Sequence, residues 1–156
     1  MAAANVPRLA NTDFRHVTDM CKRLINDSNI NVVISVLKIL GALAKGLRKH
    51  FAPYAKMFFP YIINKFKDKK TLLLEGTNTC LDEFYFCMAI EDVVEDTKEG
   101  LADKNPGEKI QLMNWIDRAV ERKAKDRAFQ DKGKEALKQL FPSFEKLCND
   151  GAVEVR

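Results

Sequence analysis

Apolar residues recur at three- and four-residue spacing along nearly the whole chain, and strict alternation of apolar and polar positions never persists. This spacing predicts α-helices. Seven apolar stripes predict helices near 12–25, 31–47, 53–66, 71–88, 90–102, 107–121 and 133–148. The stretch 121–134 is charged and weakly patterned, so we interpret it as a linker or an exposed helix end. The pattern predicts an all-α protein.

An internal repeat distinguishes a helical solenoid from a simple bundle. Asp27 and Asp68 lie 41 positions apart, each in a polar turn, and Asp150 lies 82 positions beyond Asp68. Asp103 follows Asp68 by 35 positions, so one unit is six residues shorter. A period of about 40 residues built from paired helices is typical of HEAT repeats. We therefore predict a HEAT-repeat α-solenoid of about three and a half repeats.

The four aspartates have a predicted structural role in this repeat. A side-chain oxygen just before a helix accepts hydrogen bonds from backbone N–H groups that have no partner within the helix. Asp27, Asp68, Asp103 and Asp150 are each expected to do so for the helix that follows. Two prolines, Pro60 and Pro142, fall inside first helices of repeats, where proline bends a helix.

Composition narrows the class of protein. The chain has 156 residues, 46% of them hydrophobic and 31% charged, which is typical of a globular domain rather than a disordered tail. No apolar run approaches the ~18–20 residues that a membrane span needs, so no membrane partner is expected. Residues 1–11 lack the apolar core of a secretory signal and are interpreted as a disordered or extraneous N-terminus.

Catalytic and nucleic-acid-binding roles are not expected. The cysteines Cys21, Cys80, Cys87 and Cys148 have no CxxC spacing, and we interpret all four as small buried hydrophobes without a metal or cofactor. The sequence has no nucleophile elbow, P-loop or dinucleotide-binding glycine pattern. A net charge of +4 spread among 22 acids, with aromatics confined to the apolar stripes, does not favour nucleic acid.

Four segments resemble the TOG domain, a tubulin-binding HEAT array of microtubule polymerases. They follow the family's order and spacing: 41–55 (GALAKGLRKHFAPYA), 65–70 (KFKDKK), 103–106 (DKNP) and 149–156 (NDGAVEVR). The resemblance covers roughly residues 12–156 and is nearest to the second TOG domain of animal and plant polymerases. It implies a partial domain that lacks the family's first repeat, with Trp115 in the core rather than in a contact.

The resemblance also implies a function and a binding edge. Turns within the repeats would line one edge that binds αβ-tubulin, in a cytoplasmic protein that regulates microtubule growth at microtubules, spindles, centrosomes or spindle poles. The candidate tubulin-binding residues are Asn29, Asn31, Lys69, Lys70, Lys104, Asn105, Lys109 and Arg156. Arg156 has an alternative structural role, in which it bonds the aspartate of a neighbouring turn.

Two alternatives to simple tubulin binding remain open. A HEAT scaffold of another class would instead hold a different protein or peptide in its concave face. The apolar stripe of the last predicted helix (Leu137, Leu140, Phe141, Phe144 and Leu147) also predicts self-association, because part of it lacks an evident cover.

Overall fold

The computed structural model describes residues 13–123 and 127–155, together with the side chains outside 123–131. Within these residues it contains seven α-helices and no β-strand, which confirms the all-α prediction. The helices are α1 (Arg15–Leu24), α2 (Ile30–Leu47), α3 (Ala52–Ile63), α4 (Thr71–Phe84), α5 (Val94–Ala102), α6 (Pro106–Lys123) and α7 (Arg127–Cys148). Short 3-10 turns cover Arg48–Phe51, Asn64–Lys67 and Ile90–Asp92.

The chain divides into two compact units, one ending at Met88 and the other beginning at Ala89. In the first unit, α1 and α2 are joined by a short turn, and so are α3 and α4. In the second unit, α5 and α6 form the corresponding pair, and α7 follows. Helices joined by such short turns pack as antiparallel neighbours, as expected for HEAT pairs.

Large aromatic side chains fill the core of the first unit. The fully buried ones are Phe51, Phe58, Phe59, Phe66 and Phe84. The rings of Phe51 and Phe84 meet edge to face, with centroids 6.2 Å apart, a geometry that aromatic quadrupoles favour. Burying a phenylalanine contributes about 1.5–3 kcal/mol, so this cluster supplies much of the unit's stability.

The apolar stretch Ile30–Lys67 corrects the expectation that no segment approaches the length and apolarity of a membrane span. By length and composition alone, this stretch is long and apolar enough to cross a membrane. Core helices of water-soluble proteins can meet the same criterion. The structure divides it into two α-helices, because α2 ends where Arg48 adopts a φ of 51°. On α2, exposed Asn31, Ser35 and Lys38 lie opposite a buried apolar face, which is the pattern of a helix packed on a core. The absence of a membrane partner stays a prediction.

The second unit is built around Trp115 of α6, which is 1% exposed, so the prediction that this tryptophan lies in the core is confirmed. On α7, Leu140 and Leu147 are buried, whereas Phe141 is 58% exposed, and its ring is tilted against that of Phe144 with the centroids 6.2 Å apart. The stripe of α7 is thus only partly covered, and self-association through it stays a prediction.

The helix boundaries differ most from expectation at the start of α7, which begins at Arg127 rather than 133, at the start of α5, which begins at Val94 rather than 90, and at the end of α4. This helix ends at Phe84 instead of Met88, because the N–H groups of Phe86 and Cys87 turn back to the carbonyls three residues earlier. The charged stretch 121–134 belongs largely to helix ends, since α6 runs to Lys123 and α7 begins at Arg127. Pro60 and Pro142 lie inside α3 and α7, as predicted.

The cysteines differ from expectation at one position. Cys21, Cys80 and Cys87 are buried, but Cys148 is exposed, so the prediction of four buried cysteines is wrong there. Cys148 lies two helical turns after the exposed Phe141, on the outer face of α7. The apolar spacing identified the helix but not which side of its broad stripe packs inward.

Thiol labelling checks this assignment. We expect one of the four cysteines to react quickly with a thiol reagent at neutral pH, and Cys148→Ser to abolish that fast phase. Burial raises the pKa of the Cys80 thiol, so it stays protonated as well as shielded. Mass spectrometry of the labelled chain would contradict the structure if Cys21, Cys80 or Cys87 reacted as fast as Cys148.

A candidate protein-binding edge

Each of the four repeat aspartates makes the same local hydrogen bond. Its Oδ1 accepts from the backbone N–H two residues later, at 2.7 Å for Asp27, 2.8 Å for Asp68 and Asp103, and 2.9 Å for Asp150. In the first three turns that N–H belongs to the residue just before the helix. For Asp27, Asp68 and Asp103 the predicted role takes the form of an Asx turn just before a helix, whereas no helix follows Asp150 among the described residues, so its role at a helix start stays a prediction.

Asp68→Ala is expected to destabilise the chain by about 1 kcal/mol, because the turn before α4 loses its side-chain acceptor. Asp68→Asn keeps an acceptor oxygen at the same place and should lose less than half as much. Urea unfolding followed by circular dichroism measures both. An alanine variant as stable as the unmodified chain would show that the Asx turn contributes little.

In the first unit, the turns before α2 and α4 lie side by side. Lys65 Nζ donates to Asn26 Oδ1 at 2.7 Å, which ties the second turn to the first. A shallow groove of about 350 Å³ runs between them, lined by residues of both turns, including Ser28 and Lys70. The candidates Asn29, Asn31, Lys69 and Lys70, all exposed, thus belong to two adjacent turns of one unit.

The edge of this unit is more basic than the candidate residues alone suggested. Lys65 and Lys67 share the turn with Lys69 and Lys70, so four ammonium groups fall within six residues. Burial lowers the pKa of Lys65, and the nearby carboxylate of Asp68 acts in the opposite direction. Sequence reasoning quoted the KFKDKK segment but missed these two lysines, although their spacing already placed them in the turn.

Asn29 has a structural role besides any contact it makes. Its Oδ1 accepts from the N–H of Asn31 at 3.0 Å and caps α2. In the second unit, Asn105 does the same for α6, accepting from the N–H of Gly107 at 2.9 Å. Asparagine is among the residues preferred just before a helix, so helix capping is a sufficient reason for Asn29 and Asn105 to occupy these positions.

The second unit holds three further candidates. Lys104 is exposed at the turn before α6, next to the capping Asn105. Lys109 Nζ pairs with Asp150 Oδ2 at 2.5 Å, with the side chains 13% and 15% exposed. This pair joins two turns 41 residues apart, so Lys109 fills the structural role considered for Arg156, which lies outside the described residues. Use of all eight candidates in tubulin binding stays a prediction.

Metal-binding chemistry has no visible basis in the part of the chain that the structure describes. No three His, Cys, Asp or Glu side chains there are placed to hold a metal ion. The polar atoms of the candidate edge are amides, carboxylates in Asx turns and ammonium groups. Such an edge can hold an acidic protein surface by charge and hydrogen bonds.

Comparison with known proteins agrees with this architecture. The family described as CLASP N terminal matches residues 9–156. Protein MOR1 of rice is 29% identical over 98% of this chain, and Protein mini spindles of Drosophila melanogaster is 32% identical over 96%. The chain spans only 8% and 7% of the lengths of these two relatives.

Solved structures give the same result. A chain from work on microtubule plus-end tracking by XMAP215, CLIP-170 and EB1 matches with a TM-score of 0.80 and 31% identity, covering 94% of this chain and 59% of that one. A chain from work on microtubule polymerases with TOG domain arrays shares the fold at a TM-score of 0.80 and 21% identity, covering 94% of this chain and 30% of that one. The chain therefore belongs to the CLASP N-terminal family and is a TOG domain, an all-α HEAT-repeat fold.

Proposed function

We propose that the chain is a tubulin-binding module of a microtubule-associated protein that regulates microtubule growth. The observation that carries the proposal is the basic edge of the first unit, where Lys65, Lys67, Lys69 and Lys70 lie beside the preceding turn. The surface of αβ-tubulin is acidic, as the family resemblance implies. Opposite charges accelerate encounter and fix the orientation of the partners.

The relatives support the cellular setting. Their names include Centrosomal protein 224 of Dictyostelium discoideum and Spindle pole body component alp14 of Schizosaccharomyces pombe. We infer a cytoplasmic, cytoskeletal location for this protein, and a binding rather than a catalytic role. The same lysine-rich edge with few exposed aromatics favours an acidic protein over single-stranded nucleic acid, which would need stacking platforms.

Gel filtration with purified αβ-tubulin tests the proposal. We expect the chain to co-elute with tubulin at low ionic strength and to dissociate as salt screens the lysines. An acidic protein of similar size and charge, without tubulin's fold, is the control for non-specific attraction. Failure to shift tubulin's elution at any salt concentration, with the chain folded by circular dichroism, would refute the proposal.

A further inference from the structure

A second surface of the first unit is a groove between α2 and α4. It has a volume of about 740 Å³, and its surface is mostly apolar although charged side chains line it too; the apolar lining residues include Ile34, Leu37 and Leu72. Grooves of this size accommodate drug-sized molecules or several side chains of a peptide. Leu72 stands 68% exposed at one end, which leaves a large apolar side chain without cover.

The two helices that form the groove run in parallel. A Cβ built on Gly76 of α4 would meet Leu37 and Ile34 of α2, and one built on Gly41 of α2 would meet Cys80 and Glu83 of α4. The contacts advance along both helices in the same direction. From Asn31 to Lys45, the groove follows α2 for about 21 Å, or about four helical turns.

Packing between α2 and α4 does not require glycine at either position. The nearest atoms to the added Cβ would be Cys80 Cα at 3.5 Å for Gly41 and Leu37 Cδ1 at 3.7 Å for Gly76, which are ordinary contacts. Glycine inside a helix is nevertheless about 1 kcal/mol less favourable than alanine. Gly41 is buried against α4, whereas Gly76 is partly exposed and leaves a stretch of the α4 backbone without a side chain at the bottom of the groove.

The two walls of the groove carry opposite charges. Lys38 and Lys45 line the α2 side, whereas Glu75 and Glu83 line the α4 side. Lys45 Nζ and Glu83 Oε1 approach to 3.5 Å at one end. The other oxygen, Glu83 Oε2, is buried and has no hydrogen-bond partner among the described residues. An occluded carboxylate oxygen of this kind is costly unless a donor reaches it.

We propose that this groove docks an amphipathic helix of a partner protein. The helix would place an apolar stripe over Leu72, Ile34 and Gly76, and would carry flanks of opposite sign. Its acidic flank would face Lys38, and its basic flank would face Glu75. A third helix lies naturally in the groove between two parallel helices. This site adjoins the basic edge at Asn31, which lines the groove, but it lies along α2 and α4 rather than in their preceding turns and does not depend on tubulin binding.

Synthetic helical peptides of 16 residues, with the same leucine stripe and different flanks, test the proposal. One peptide has an acidic and a basic flank, one has two basic flanks, and one has two acidic flanks. Measured by fluorescence anisotropy, the mixed peptide should bind about fivefold more tightly than either of the others. Peptides can bind in either direction along the groove, so the comparison rests on flank composition rather than on orientation.

Three variants assign the binding to the groove. Lys38→Glu leaves Lys45, which faces Glu83, as the one positive side chain among the groove's lining residues, and should shift the preference towards the peptide with two basic flanks. Leu72→Ser alters only an exposed side chain and should weaken all three peptides. Gly76→Leu should block the groove, and its fold is checked by circular dichroism. Lys69→Glu with Lys70→Glu should leave peptide affinity unchanged, and Lys38→Glu should leave tubulin co-elution unchanged.

Two results would overturn the proposal. One is the absence of binding by any peptide at millimolar concentration. The other is binding that neither Leu72→Ser nor Lys38→Glu alters, because the peptides would then be held elsewhere on the chain. Neither result bears on the basic edge, whose own test is co-elution with tubulin.

Discussion

Reversing the charges of Lys69 and Lys70 to glutamate should weaken αβ-tubulin binding at least about tenfold. Both side chains are exposed at the turn before α4, and the change removes two of the four ammonium groups on that edge and adds two carboxylates. The effect should be largest at low salt and should shrink as ionic strength rises. Affinity measured across a salt series, by gel filtration or anisotropy with labelled tubulin, checks both statements.

A change in the stability of the fold should not explain the weaker tubulin binding. Surface substitutions usually change the free energy of unfolding by less than about 0.5 kcal/mol, and acidic residues near the start of α4 are favourable to the helix dipole. The matched control is Lys38→Glu with Lys49→Glu, which changes the net charge equally at exposed positions outside the two turns. Equal loss of affinity in the control would show that net charge, and not the edge, governs binding.

Asp150→Ala should lower the free energy of unfolding by about 2–3 kcal/mol. The substitution removes the carboxylate that pairs with the largely buried Lys109 ammonium, and with it the acceptor for the N–H of Ala152. A charge left in a poorly hydrated site without its partner is more costly than the loss of the pair as a whole. The expected loss of unfolding free energy is smaller than for a fully buried ion pair, because both side chains retain some exposure to solvent.

A double-mutant cycle separates these contributions. Lys109→Met keeps most of the side-chain volume, and in combination with Asp150→Ala it should recover about 1 kcal/mol or more of the loss. Fluorescence of Trp115 is a suitable probe of unfolding. This residue is the chain's one tryptophan and lies in the core of the second unit, to which Lys109 and Asp150 also belong. If the losses of unfolding free energy in the two single variants simply add up in the double variant, the interaction between Lys109 and Asp150 contributes nothing to stability.

Local sequence information sufficed for the helices and turns. Apolar spacing places a helix wherever one face must be buried, and an aspartate three residues before a helix start has few competing roles. Predictions for Asp27 and Asp68 therefore needed only their own neighbourhoods. Trp115 was also predictable, because a large side chain within an apolar stripe is costly to leave in water.

Features that depend on residues far apart in the chain were not predictable in this way. Nothing near Lys109 indicates Asp150 as its partner, and the two are 41 positions apart. The groove between α2 and α4 requires knowing that Gly76 lies opposite Leu37, which follows only from the register of two packed helices. Cys148 was misassigned for a related reason, since the covered side of the α7 stripe is set by its neighbours.

Because α1 buries few side chains, it should be the first helix of the first unit to unfold locally. Only Thr18 and Cys21 of this helix are buried. The Thr18 hydroxyl donates to the backbone carbonyls of Phe14 and Arg15, at the start of the same helix, and so does not tie α1 to another helix. α2 and α4, in contrast, bury an apolar face along most of their lengths. Amide protons of α1 should therefore exchange with solvent through local opening at a small fraction of the global unfolding free energy. Trypsin should cut first after the exposed Lys22 and Arg23, leaving α2–α4 as the slowly exchanging part of the unit.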